Sequence, residues 1–176
     1  VAGLALETTS LELDDKGIPT FDPFTMQCGQ SHVFIAGDVD GEKPILHEAA
    51  DEGRIAGDNA GRFPDIRAGL RRTPMGVVFT DPNIATAGES YAALQASGCA
   101  FATGEVDFLG QGRSRVMLQN KGLLRVYGAH GSGKFLGAEM VGPRTEHIAH
   151  LLAWSVQQGL TVAQMLDMPY YHPVIE

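Results

Sequence analysis

The chain has 176 residues, 44% of them hydrophobic, with 22 glycines and a formal net charge of −8. That is enough chain for one sizeable core or two small ones, and the composition suits a globular α/β or α+β protein with many tight turns. The negative balance argues against general nucleic-acid binding, which needs a basic surface, and no apolar run approaches the length of a membrane span. The start, Val1-Ala2-Gly3-Leu4, has neither the basic stretch nor the apolar core of a secretion signal, and it lacks an initiating Met, so a fragment or processed product is expected. The two cysteines, Cys28 and Cys99, stand 71 positions apart in the sequence and match no CxxC or metal pattern. They read as ordinary thiols in a reducing, cytoplasmic setting.

Leu11-Glu12-Leu13 alternates, Asp14-Asp15-Lys16-Gly17 is a turn, and Ile18-Pro19-Thr20-Phe21 reads as a return strand without an obvious partner before Val33. Val33-Phe34-Ile35-Ala36 has the length and β-branched content of a buried strand, and it stops at Gly37-Asp38. An Asp beyond the carboxyl end of a strand accepts hydrogen bonds from a sugar or polyol hydroxyl, and a Gly beside it lets a ligand approach the backbone. A helix is predicted from Pro44 through Ile45, Leu46, Ala49, Ala50 and Ile55 towards Gly61, its N-terminal amides facing the same ligand. Residues 62–75, with two prolines and four arginines, break the periodicity and read as a solvated crossing between domains; the alternative is a phosphate site.

From Gly76 the pattern changes. Strands are predicted at Val77–Phe79, Ile84–Ala87, Phe101–Phe108, Arg115–Gln119, Leu123–Tyr127 and Phe135–Met140. Ser90 caps a short helix over Tyr91–Ser97 that Gly98 closes. The clearest helix is Thr145–Gln158, with Ile148, Leu151, Leu152, Ser155 and Val156 on one face, and the box Thr161-Val162-Ala163-Gln164 opens a last short one. Consecutive strands followed by helices make this an α+β layer, an antiparallel sheet with flanking helices. His147 and His150 stand one helical turn apart beside Glu146; surface histidines are the reading preferred over a metal site, and no metal ligands are assigned.

Val33-Phe34-Ile35-Ala36-Gly37-Asp38, followed by Pro44 to Gly53, resembles the second flavin-contacting motif of the pyridine nucleotide-disulfide oxidoreductases. Val78 to Ala85 resembles that family's entry to its C-terminal dimerisation domain, Phe135-Leu136-Gly137-Ala138 its leucine-glycine strand, and Tyr171-His172-Pro173 its active-site turn. The pattern is most like dihydrolipoamide dehydrogenase. The resemblance implies that residues 1–70 are the last part of an FAD-binding α/β domain and residues 71–176 a dimerisation domain. It implies that Gly37, Asp38, Leu46 and His47 contact FAD, with Asp38 on the ribityl chain, and that His172 is the acid/base acting at a dithiol of the partner subunit in a homodimer. NAD is the implied second cofactor and a lipoyl-type or small-molecule disulfide the substrate, with no nucleic-acid or membrane partner.

The sequence departs from the family in several places. Cys28 stands where a Thr usually opens the flavin motif, and both the G-x-G-x-x-G fingerprint and the close cysteine pair are missing. The family's carboxylate partner follows the His by five residues, whereas Glu176 follows His172 by four; the expected partner is either Glu176 or, preferably, the next residue of a longer chain. The competing readings are a stand-alone dimerisation module without catalysis, and a glutathione- or mercuric-reductase-like member of the same family.

Overall fold

The computed structural model describes residues 3–176. They form two compact units, one ending at Arg71 and one spanning Arg72–Glu176.

The first unit is a meander folded onto one helix. Asp14 makes the first turn by accepting the Lys16 and Ile18 amides on one carboxylate oxygen, at 2.9 and 2.8 Å. Asp22 does the same for Phe24 and Thr25. Single bridges then pair Leu13 with Pro19, Phe21 with Cys28, and Gln27 with Phe34. The run Val33–Ala36 is therefore extended but makes only one bridge, not the full strand its composition predicts. Its amide and carbonyl partners, Met26 and Cys28, lie on one side, on a segment that itself turns immediately afterwards. Phe21, likewise, finds its partner at Cys28, earlier than expected.

Helix α1, Leu46–Arg62, packs Ile55 and Ala56 against Met26, with Phe21, Phe34 and Ala36 around them. Its buried face consists of Glu48, Asp51, Glu52, Ile55, Ala56 and Asn59. The spacing is that of one helical face, but half of it is acidic, so an apolar reading misses it. Asn59 fixes the descent from the helix. Its amide donates to the Thr25 and Arg67 carbonyls and its oxygen accepts the Arg67 N–H.

The second unit is a five-stranded antiparallel sheet in the order β1-β2-β5-β4-β3. The strands are β1 (Met75–Val78), β2 (Asn83–Gly88), β3 (Phe101–Asp107), β4 (Leu123–Ala129) and β5 (Phe135–Gly142). Helix α2, Tyr91–Ala96, begins where the Ser90 side chain accepts the Ala93 amide. Helix α4, Thr145–Gln157, lies on β2, β5 and β1. Ile148 and Ala149 bury with Ala85, Ala138, Met140 and Phe135, and Leu152 and Val156 extend the stripe, whereas Leu151 points outward. The expected α+β layer is thus present.

The strand predicted at Arg115–Gln119 is absent: its first two residues end a helix and the rest is turn and loop. Gly112–Val116 forms α3, because the Gln111 side chain accepts the Ser114 amide at 2.7 Å and the fully buried Ser114 hydroxyl donates to the Phe108 and Gln111 carbonyls. These local side-chain bonds satisfy the backbone in place of ladder bonds. Helix α5, Val162–Leu166, starts at the Thr161–Gln164 capping box.

Backbone closeness at Gly137 holds β5 against the turn after β2. A Cβ there would stand 2.2 Å from the Glu89 carbonyl oxygen. We predict that Gly137→Ala lowers unfolding free energy by about 2 kcal/mol or more in urea titrations, the scale of an overpacked core. Gly110→Ala, where a Cβ meets nothing within 4 Å, changes it by less than about 0.5 kcal/mol.

Candidate functional site

The Gly-Asp turn of the first unit is built from the backbone outward. Gly37 sits at φ 79° and ψ −168°, a conformation that side-chain-bearing residues avoid, and its α-carbon lies beside Ala49 of α1. Asp38–Asp40 then closes a single 3-10 turn, with the Asp40 amide donating to the Gly37 carbonyl at 2.9 Å. The Gly37 amide donates to Glu52 Oε2 at 2.8 Å, which ties the turn to α1. Asp38 faces outward, and among the described residues its carboxylate takes no partner. Asp40 turns inward, only 5% exposed.

Asp40 Oδ1 accepts the Glu42 amide at 2.9 Å, while its buried Oδ2 meets no donor among the described residues. Burial pushes the Asp40 carboxyl above its ordinary pKa of 3.8; the Glu42 amide pulls it down, and the neighbouring Glu52 charge pushes it further up. Glu52 is itself 1% exposed. Its counter-charge comes from Arg71, whose Nη2 reaches Glu52 Oε1 at 3.0 Å and Glu48 Oε2 at 3.1 Å. Lys43 lies 3.9 Å from the other Glu48 oxygen. The arginine-rich stretch is therefore not wholly a solvated crossing. Arg62 and Arg67 pair with Asp58 and Asp65 at the surface, but the Arg71 side chain is 15% exposed and buried against carboxylates. The readable signal was Glu48 and Glu52, four apart on the buried face of a helix, which require a cation.

The start of α1 has no side-chain cap, since Ile45 is extended and offers none. The amides of its first turn have no partner within the helix, and they carry the positive end of the helix dipole. Leu46 is 87% exposed there and His47 is exposed beside it. The structure thus places Gly37 and Asp38 against the helix that carries Leu46 and His47. Together they offer a hydroxyl acceptor, free amides and an apolar side chain to a ligand.

His172 belongs to the second unit. It lies in the exposed segment Tyr171–Pro173, with Tyr171 79% exposed. On one side, Tyr170 Oη donates to the Met165 carbonyl at 3.2 Å. On the other, Ile175 is 8% exposed within the core around Phe108, and Gln111 Nε2 donates to the Val174 carbonyl at 2.6 Å and the Ile175 carbonyl at 3.3 Å. Among the described residues no contact joins His172 to Glu176. Gln111 escaped the sequence reading because nothing local links it to a segment 63 residues away.

His150 Nδ1 donates to the Glu146 carbonyl at 2.7 Å, and His147 lies 3.6 Å from the Glu146 carboxylate. No group of three His, Cys, Asp or Glu among the described residues is placed to hold a metal, and no helix among them is long and apolar enough to cross a membrane. Both cysteines are free; Cys28 is buried, which pushes its thiol up, and Cys99 is exposed.

The second unit is thus an antiparallel sheet backed by α4, with His172 on a short exposed segment at its end. Residues 74–176 match the family model described as pyridine nucleotide-disulphide oxidoreductase, dimerisation domain, and the chain belongs to that family. It is 30% identical over 171 residues to a dihydrolipoyl dehydrogenase of Haloferax volcanii, covering 97% of this chain and 35% of that protein. It is 28% identical over 170 residues to a mercuric reductase of Shigella flexneri, covering 95% of this chain and 29% of that one. Among solved structures, LpdA of Mycobacterium tuberculosis superposes with a TM-score of 0.82 at 26% identity, over 98% of this chain and 37% of that chain. The chain therefore spans about a third of the length of the curated relatives it matches.

Two predictions follow from the buried charges. Arg71→Ala leaves Glu48 and Glu52 without their guanidinium and should destabilise the first unit by about 3–5 kcal/mol, read by urea unfolding. For Asp40, a pKa raised in the fold stabilises the protein most below 3.8, and that contribution drains away as pH rises through the raised value. Asp40→Asn, which keeps a donor for Glu52, should therefore lose this pH dependence and become the more stable protein in urea titrations at about pH 8.

Proposed function

We propose that this chain serves in a flavoprotein disulfide oxidoreductase of the dihydrolipoyl dehydrogenase type, moving electrons between NAD(H), FAD and a dithiol/disulfide pair. The similarity to dihydrolipoyl dehydrogenase along 97% of the chain carries the reading. The residues of the first unit fit one wall of an FAD site. The unpartnered Asp38 carboxylate would take a ribityl hydroxyl, Gly37 keeps the backbone approachable, and the uncapped start of α1 at Leu46 and His47 would face the flavin. When bound, FAD supplies the passage of an electron pair between the nicotinamide and the dithiol.

The chain's own chemical contribution is His172. A neutral imidazole takes the proton of a thiol, leaving the thiolate that attacks a disulfide, and the imidazolium returns that proton to the thiolate expelled from the broken S–S bond. The exposed position of His172 suits action on a dithiol held by the partner subunit of a full-length homodimer. Neither Cys28 nor Cys99 serves as that dithiol: one is buried with its thiol pushed up, the other stands alone at the surface. The substrate is a lipoyl-type or other small disulfide, and the setting is cytoplasmic.

The test uses the full-length protein. His172→Gln should retain the fold and flavin spectrum yet lose about a hundredfold or more of disulfide turnover, while electron transfer from NADH to an artificial acceptor survives. In a mixed dimer, a subunit lacking His172 paired with one lacking the redox cysteines should keep one working site. Two dead sites would show that His172 serves its own subunit. Undiminished turnover by His172→Gln would reject the acid/base role.

A further inference from the structure

We propose that Gln111 is the positioning residue for His172, its side-chain amide clamping the chain just beyond the histidine and so setting how far the imidazole projects. This rests on the acid/base reading of His172 given above. The clamp has only one workable orientation. The Ser114 amide requires an acceptor, which Oε1 supplies at 2.7 Å, and the Val174 and Ile175 carbonyls require a donor, which Nε2 supplies at 2.6 and 3.3 Å. An inverted amide would oppose like groups on both sides.

Gln111 is itself held. Ser114 Oγ donates to the Gln111 carbonyl and to that of Phe108, both at 2.8 Å, and Phe108 belongs to the same core cluster as Ile175. The far foot of the arch is held by Tyr170 Oη on the Met165 carbonyl of α5. The capping box at Thr161 starts that helix, and Thr161 bridges to Lys134 at the head of β5. Tyr171, His172 and Pro173 lie between the two feet, at the end of an exposed run that begins at Leu166. Val174 follows His172 by two residues, a reach of at most about 7 Å in extended chain. Wherever the Gln111 amide holds Val174, the imidazole follows.

The decisive variant is Gln111→Glu. It keeps the acceptor that caps α3 but replaces the donor with a carboxylate facing two carbonyls. Gln111→Leu, which loses both functions, serves as the harsher comparison. In the 176-residue chain labelled with ¹⁵N, the parent should show backbone order parameters near about 0.85 at Val174 and Ile175. Gln111→Glu at neutral pH should fall below about 0.6 there, with the melting midpoint of the sheet unchanged. Below about pH 4 the introduced carboxyl regains a proton to donate, and the order should return. Recovery on protonation separates the clamp from a general packing role.

In the full protein, Gln111→Glu should lower kcat with the disulfide by about tenfold to a hundredfold, leaving NADH oxidation by an artificial acceptor intact. Order parameters that stay at the parent value overturn the clamp. A loosened arch with undiminished disulfide turnover overturns its part in positioning. The histidine's own role is judged separately, by His172→Gln.

Discussion

A carboxylate withdrawn from water must be met by a cation or by donors, and the first unit is arranged around that requirement. Glu48 and Glu52 lie on the buried face of α1, and Asp40 is buried beside Glu52. Arg71 meets the two glutamates, the Gly37 amide meets Glu52, and the Glu42 amide meets Asp40. Three of these bonds reach across sequence: 15 residues from Gly37 to Glu52, 19 from Glu52 to Arg71 and 23 from Glu48 to Arg71. The turn that presents Asp38 outward is therefore held from within by the same charges that secure the helix to the end of the unit. Such a network is a poor source of net stability but a strict one in geometry, since losing any member strands a charge.

The second unit is secured differently, by apolar packing at short range. Ala85 and Ala138 on the sheet, with Ala149 on α4, let the helix settle closely on the strands, while Phe135, Met140 and Ile148 fill the larger spaces. Phe108 closes one end of this core, and a Cβ on Gly142 would strike its ring at 2.5 Å. Ile175 enters the same cluster from the far end of the sequence, so the segment displaying His172 is anchored by the core itself.

The sequence reveals what is local and leaves out what is not. Helix α4, the Thr161 box and the Ser90 cap carry their signals within a few residues, and the structure has all three. The run Arg115–Gln119 reads as extended by composition, but bonds from Ser114 and Gln111 wind its first two residues into α3 and the rest turns away. Val33–Ala36 has the β-branched content of a strand, but a strand also needs ladder partners, which composition does not carry. For the proposed site, motif resemblance points to Gly37, Asp38 and His172. It does not point to Glu52, Arg71 and Gln111, because their meaning lies in partners 15 to 63 residues distant.

The two outer strands of the sheet differ in a way that bears on solubility. β3 is an edge strand, exposed along nearly all its length, with unpaired backbone groups facing outward. Such an edge invites another chain to continue the ladder. Here it carries Glu105, matched within the sheet by Arg125 at 2.6 Å, and Asp107 at its end. A copy docking antiparallel along this edge would bring further carboxylates into the same strip. The opposite edge, β1, is only four residues long and is preceded by Pro74, which has no amide to donate. Both rims of the sheet thus resist fibrillar growth, and the protein can expose apolar side chains on its faces without its strands merging into aggregates.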